Sequence, residues 1–359
     1  MQILQACALI YFIMRSGYLG IGLAGYIALG KVNAYLCPII GGILGFIPLY
    51  LFIKISELSP KDNINGIIQK TFGKPFGSII SIILALFIAF FSLIIFWDLN
   101  NFIASEYLYN TPILAIVIML IIPVIYMLTK GVQTLGRSSI ILAFFSFAMF
   151  ILSIIGLINH IKLDNILPFL ENGIPDVIKG SLLYIAYSVL PIFIILIIPR
   201  NNFQQEKKLS KAIMITYILI TATIAFVTFV TVSVLGIDLA NLYQYADYHL
   251  LRRITIGNFI QRVESLLAIQ WIISLFMLIA LCFYYITNTI EFLFDIKEKK
   301  YKRISIYIVC LTLMYLSTIV FRNNTVFTNF VIYHFPYFLF LFLFILPLFI
   351  YGWSKKALK

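Results

Sequence analysis

The chain has 359 residues, of which 62% are hydrophobic and only 11% charged, with a mean hydropathy of +1.03 and a formal net charge of +12. A soluble domain carries about 45–50% apolar and about 25% charged residues, so the composition excludes a soluble enzyme or module and requires an all-α polytopic membrane protein. The positive charge does not call for a nucleic acid, because basic residues gather in the cytoplasmic loops of membrane proteins.

A membrane-spanning helix needs about 20 apolar residues. Ten segments qualify: 3–29, 36–56, 76–100, 112–129, 138–159, 176–199, 211–236, 262–292, 304–320 and 328–352. The first run is too long for a cleaved leader and has no basic n-region, so it is read as a retained span. With the N-terminus inside, 18 of the 26 Lys and Arg fall on the cytoplasmic side and 7 outside, leaving Arg15 within the first span. Both termini are therefore expected in the cytoplasm, and the chain is one integral membrane domain. The four cysteines, Cys7, Cys37, Cys282 and Cys310, have no paired spacing and read as small packing residues. Neither a metal site nor a cofactor is expected.

Two connections carry patterns of their own. Residues 59–75 place Ile64, Ile67 and Ile68 at helical spacing, as in a short amphipathic helix on the cytoplasmic surface. Residues 237–261 form a long external loop with Tyr243, Tyr245 and Tyr248. These tyrosines fit either an interfacial belt or an ordered lid.

The first span is interrupted by RSGYLGIGLAG, residues 15–25, with one arginine and four glycines. Glycine costs a helix about 1 kcal/mol relative to alanine. Arginine at bilayer depth costs roughly 2.5–3.5 kcal/mol on insertion scales. Five spans later Pro191 interrupts the sixth, removing a backbone donor and biasing Leu190 away from helix. Paired breaks in spans 1 and 6 divide ten spans into five plus five. This is the inverted-repeat plan of many secondary transporters, with repeats at about 1–160 and 165–359. Proline kinks and small-residue packing faces are the structural alternative. A break frees backbone groups, its second half-helix presents a positive N-terminus, and a glycine lets a ligand approach closely.

Around such a cavity Arg15, Ser16, Gly17, Tyr18, Tyr184, Tyr187, Ser188 and Leu190 are candidate ligand-binding residues. Arg15 has three readings: it binds an acidic ligand group, pairs with freed carbonyls, or snorkels toward water. No catalytic constellation competes, since His160, His249 and His334 are scattered and there is no phosphate loop or nucleophile elbow.

The stretch FIQRVESLLAIQWIISLF, Phe259 to Phe276, resembles the start of span 8 in spore germination receptor B subunits. Its recurring elements are Arg262, Glu264 and Trp271. Gln5, FGKPFGS at 72–78, ILPFLENGIPDVIKGSL at 166–182 and the Pro199 end of span 6 extend the resemblance along the chain. That family belongs to the amino acid–polyamine–cation transporter superfamily. The resemblance implies ten helices with an inverted repeat and a nutrient germinant, usually an amino acid, bound between spans 1, 3, 6 and 8. It also implies signalling beside an A subunit and a C lipoprotein in the inner membrane of a spore. Phe91, Ser92 and Ile95 in span 3, with Ser274 and Met277 in span 8, join the candidate site. Pro191, Arg262, Glu264 and Trp271 are read as structural or gating residues, and Asp98 and Glu106 as solvated or paired charges. Two departures stand out. Ser16-Gly17-Tyr18 replaces the family's Gly-x-Gly, with Leu23 at its proline position, and Pro191-Ile192-Phe193 replaces Gly-x-Glu in span 6. An ion-coupled amino acid transporter and a ligand-free scaffold are the alternatives to a germinant receptor.

Overall fold

The computed structural model describes residues 1–157, 160–168, 173–252, 264–321 and 324–358. Among these residues there is no strand, and nine helices are long and apolar enough to cross a membrane. A tenth span forms from two helices that meet at a bend. The spans are numbered in chain order. Span 1 joins Ile3–Tyr18 to Ile21–Asn33, and spans 2 to 5 are Leu36–Leu58, Lys74–Glu106, Ile113–Lys130 and Val132–Ile155. Spans 6 to 10 are Ile174–Ile197, Glu206–Leu235, Glu264–Leu293, Lys299–Ile319 and Thr325–Ala357.

Hydropathy sets which spans lie inside. Span 6 is enclosed along almost its whole length, whereas span 5 turns most of its apolar surface outward. Phe144 and Ile141 on span 5 are exposed in a way that only lipid makes favourable. Spans 1, 6 and 8 and the C-terminal half of span 3 form the interior.

Span 1 bends by 53° at Leu19-Gly20. Gly20 has φ +61°, a left-handed conformation that favours glycine. The first half-helix ends with the Leu19 N–H bonded to the Arg15 carbonyl, and the second begins with the Ala24 N–H bonded to Gly20. The break thus lies inside the glycine-rich stretch. Span 6 resolves its proline differently from an unwound turn. It is α-helical over Ile174–Tyr184, π-helical over Ile185–Val189 and 3-10 helical over Leu190–Ile197.

The two irregular segments meet. Gly17 sits against the main chain of Tyr187, and a Cβ at position 17 would overlap the Tyr187 carbonyl. In a regular α-helix that carbonyl accepts from the N–H of residue 191, and Pro191 has none. Small residues extend the seam. Gly41 of span 2 approaches the Ser181 carbonyl and the Tyr184 ring, and Gly25 approaches Leu183.

The segment after span 2 forms a helix, Ile64–Phe72, capped by Asn63, whose side chain accepts from the Gly66 N–H at 2.9 Å. Its apolar face, with Ile64, Ile67 and Ile68, is turned into the protein rather than toward a membrane surface. Asn65 bonds Thr289 at 3.0 Å and Asn63 bonds Asn288 at 2.9 Å, both on span 8. On the same face Arg200 is enclosed by Ser56 at 3.0 Å, Ser210 at 2.8 Å and the Glu206 carbonyl at 3.0 Å.

The seam gives a direct test. Gly17→Ala gains about 1 kcal/mol of helix propensity but must displace a backbone carbonyl. Overpacking typically costs about 1–3 kcal/mol. The expected result is a lower melting temperature in detergent and a reduced yield of folded protein. Gly352→Ala, in a helix with open space at its Cβ, is expected to be neutral or mildly stabilising in the same melt.

Candidate functional site

The site grows from the break in span 1. Arg15, one turn before it, is buried with 7% exposure. Its Nη1 donates to the Tyr11 hydroxyl at 2.6 Å and its Nη2 to the Gln270 side-chain oxygen on span 8. Its guanidinium also stands over the rings of Tyr11 and Phe150, at 5.7 and 5.8 Å from their centroids. Arg15 is therefore held by a hydroxyl, an amide oxygen and two aromatic faces. It neither reaches solvent nor pairs with carbonyls freed by the break.

Ser16 fixes span 1 to span 8. Its hydroxyl lies 2.6 Å from the Phe12 carbonyl and 2.7 Å from the Ser274 carbonyl, while the Ser274 hydroxyl bonds Gln270 at 2.8 Å. Tyr18 points its ring toward Tyr26, with centroids 6.4 Å apart, and its buried hydroxyl has no hydrogen-bond partner. Tyr26, beyond the break, shares a 3.2 Å hydrogen bond with Ser188 of span 6.

The other candidates divide. Tyr187 packs its main chain on Gly17 and donates its hydroxyl to the Val331 carbonyl of span 10 at 2.7 Å. Tyr184 turns to span 7, where its hydroxyl meets Thr221 at 2.7 Å. Leu190 and Met277 are fully buried and apolar, as are Ile95 and Phe91. The Ser92 hydroxyl bonds back to Ala89 of its own helix at 2.6 Å, and Phe91 stacks on Phe335. Span 3 therefore does not contribute through Ser92.

It contributes Asp98. The expectation of a solvated or paired charge is corrected here. Asp98 is 1% exposed, its Oδ1 has no hydrogen-bond partner, and no basic group among the described residues lies within ion-pairing distance. The carboxylate abuts Gly20, with Oδ2 at 2.6 Å and Oδ1 at 2.9 Å from the place a Cβ would occupy. Glu106, two turns on, is paired as expected, with His249 at 3.5 Å and Arg252 at 3.8 Å.

A second acid comes from the loop after span 7. This loop forms two short helices, Ile237–Leu242 and Ala246–Leu251. Tyr245 and Tyr248 are buried against Phe102 and Tyr107, and Tyr243 stacks on His249 at 4.1 Å. The tyrosines thus form a packed cap over the bundle rather than an interfacial belt. Asp247 projects inward and accepts from Trp271 Nε1 at 3.3 Å and from the Tyr248 N–H. Trp271 itself is enclosed by Phe102 and Tyr245. Burial pushes Asp247 up to about 6, opposed by the Trp271 and Tyr248 donors and by the Arg15 charge. A cavity of about 30 Å³ opens among Tyr11, Arg15, Tyr18, Phe150 and Asp247, room for about one water. Glu264, at the start of span 8, is buried near this cap. Arg262 lies outside the described residues, as do the other residues of 253–263 and residues 169–172 of the second matching stretch.

The sequence profile of the spore germination protein family matches residues 3–326. The chain belongs to the spore germination protein family. It is 24% identical over 261 residues to spore germination protein KB of Bacillus subtilis (strain 168), covering 70% of this chain and 68% of that one. It is 26% identical over 211 residues to spore germination protein XB of Bacillus anthracis, covering 58% of each. Among solved structures, Mhp1, a nucleobase-cation-symport-1 family transporter in a closed conformation with bromovinylhydantoin bound, aligns with a TM-score of 0.72. That match has 12% identity and covers 98% of this chain and 77% of the transporter. A Na⁺-coupled sialic acid symporter in a substrate-bound outward-open state aligns with a TM-score of 0.57 at 13% identity, covering 99% of this chain and 85% of that one. The fold of this germination protein is thus that of the transporters built as five-plus-five inverted repeats with broken spans 1 and 6.

Asp247 makes the cap pH-dependent in a defined sense. Its folded value of about 6 lies above its ordinary 3.8, so the fold favours the protonated form. The stability it contributes is complete below about pH 4 and is lost as pH rises through 6, up to roughly 3 kcal/mol. Asp247→Asn is expected to flatten the melting temperature between pH 4 and 7 and to melt above the parent protein at pH 7.5. A parallel pH profile for the two proteins is the contrary result.

Proposed function

We propose that this chain is the membrane-embedded, germinant-binding subunit of a spore germination receptor, taking a small nutrient of the amino acid class or derived from it. It sits in the inner membrane of the spore with both termini in the cytoplasm, and it works beside an A subunit and a C lipoprotein. One observation carries the reading. The break in span 1 lies at buried depth against the altered stretch of span 6, and Arg15, Tyr18, Asp98 and Asp247 surround it. A purely structural bundle gains nothing from this arrangement, because buried polar groups without partners cost about 1–3 kcal/mol each. Membership of a germination family with a transporter fold supports the same reading. Binding is expected at mid-membrane between spans 1, 3, 6 and 8, and closure of the aromatic cap over it is the signal passed on.

A second reading, an ion-coupled amino acid transporter, is favoured by Asp98, whose buried carboxylate has an unpartnered Oδ1 and suits a group that gains and loses a cation. Proteoliposomes separate the two: concentrative uptake driven by an imposed ion gradient supports transport, whereas saturable binding without uptake supports the receptor.

In spores, deleting this gene with its neighbouring subunit genes is expected to abolish the response to at least one nutrient. An intact response to every nutrient overturns the receptor. Arg15→Ala is expected to raise the nutrient concentration for half-maximal germination at least tenfold. Lys179→Ala, an exposed residue paired with Asp176, is expected to leave it unchanged.

A further inference from the structure

The second half of span 1 begins at Ile21, with Gly20 as its cap and no side chain serving its first free N–H groups. Such an end carries partial positive charge and attracts a carboxylate. In this protein the carboxylate next to it is the protein's own. Asp98, reaching across from span 3, places both oxygens within 2.9 Å of the point where a Cβ on Gly20 would stand. The glycine is what allows that approach.

This position changes which ligand fits. A zwitterionic amino acid brings a second carboxylate to a half-helix end that already faces one. It also adds no net charge to a buried cluster whose carboxyl and guanidinium groups, among the described residues, are those of Asp98, Asp247 and Arg15. The terminal nitrogens of the base face other partners: they donate to Tyr11 and Gln270, its field acts on Asp247, and its Nε is left without a hydrogen-bond partner. Asp98 is left with an unpartnered Oδ1. The rings of Tyr18, Tyr26 and Tyr187 supply faces of the kind that attract an organic cation. An ammonium group with no carboxylate of its own satisfies the Asp98 carboxylate and the charge balance together.

We infer that the ligand of the central site is a small primary amine, anchored through its ammonium to Asp98, rather than an intact amino acid. The inference rests on the receptor reading above and narrows its ligand class.

The test uses the detergent-purified full chain and calorimetric titration at pH 7 with matched compounds. These are alanine and ethylamine, leucine and isoamylamine, phenylalanine and phenethylamine, with isoamyl alcohol as an uncharged control. At least one amine is expected to bind tenfold or more tightly than its parent amino acid, and the alcohol not to bind. Asp98→Asn is expected to weaken that amine at least tenfold and to bring the amine-to-amino-acid ratio toward one. Asp176→Asn, an acid at the outer end of span 6 paired with Lys31 and Lys179, is expected to leave both affinities unchanged. Amino acids that bind the parent protein as tightly as their amines overturn the inference while leaving the receptor standing. So does amine binding that survives Asp98→Asn in a normally melting protein. Should that variant not fold, the amine, amino acid and alcohol ratios on the parent protein decide alone. No binding by any compound removes both readings.

Discussion

The seam between Gly17 and the main chain of Tyr187 is the constraint on which the rest of the arrangement depends. Two helices that cross this closely need a residue without a Cβ on one side and an available backbone group on the other. Span 1 provides the first with Gly17, and Pro191 provides the second by withholding the donor that would otherwise occupy the Tyr187 carbonyl. With span 6 held there, the second half of span 1 must bend away by 53° to continue across the membrane. Tyr26 then arrives beside Ser188, and Gly25 beside Leu183. In lipid there is no water to satisfy the freed backbone groups, so the break survives only because spans 3, 6 and 8 enclose it.

Around this seam the polar groups follow a common logic. Ser16 and Arg15 tie span 1 to span 8 through the Ser274 carbonyl and the Gln270 side chain. Trp271, one residue on from Gln270, carries the connection outward to Asp247 and the aromatic cap. The break and the cap are therefore joined through two adjacent residues on one helix. The chain of contacts is short and physically continuous.

Much of the architecture was legible because hydropathy and helix length are local. Ten apolar runs, the short helix after span 2 and the irregularity in spans 1 and 6 all follow from residues close in sequence. What was not legible depends on distance. RSGYLGIGLAG contains four glycines, and nothing local says that Gly20 takes the left-handed conformation while Gly17 carries the close contact. That assignment is set by Asp98 and Tyr187, from spans 3 and 6. Asp98 read as a helix-end charge because its span was expected to stop near residue 100. The helix runs to Glu106, and the extra turns place the aspartate inside the bundle. Asp247 gave no signal at all, since an acid in a polar external loop is ordinary until the loop folds inward. The one available cue was the density of tyrosines around it, which fitted a belt equally well.

The departures from the family in spans 1 and 6 take on a definite meaning in this frame. Where the resemblance implies a glutamate in span 6, Phe193 is fully buried, with Phe52 at 5.7 Å and Tyr285 at 6.4 Å between ring centroids. That position has become core, and a carboxylate there would lie among aromatic rings with its charge unmet. Acidic side chains have not left the interior, because Asp98 and Asp247 bring them from span 3 and from the cap. A scaffold freed of ligand would be expected to lose buried charge altogether, as unpaired acids only weaken it. Among the described residues the interior instead keeps these two acids beside one arginine whose terminal nitrogens bond the neutral oxygens of Tyr11 and Gln270.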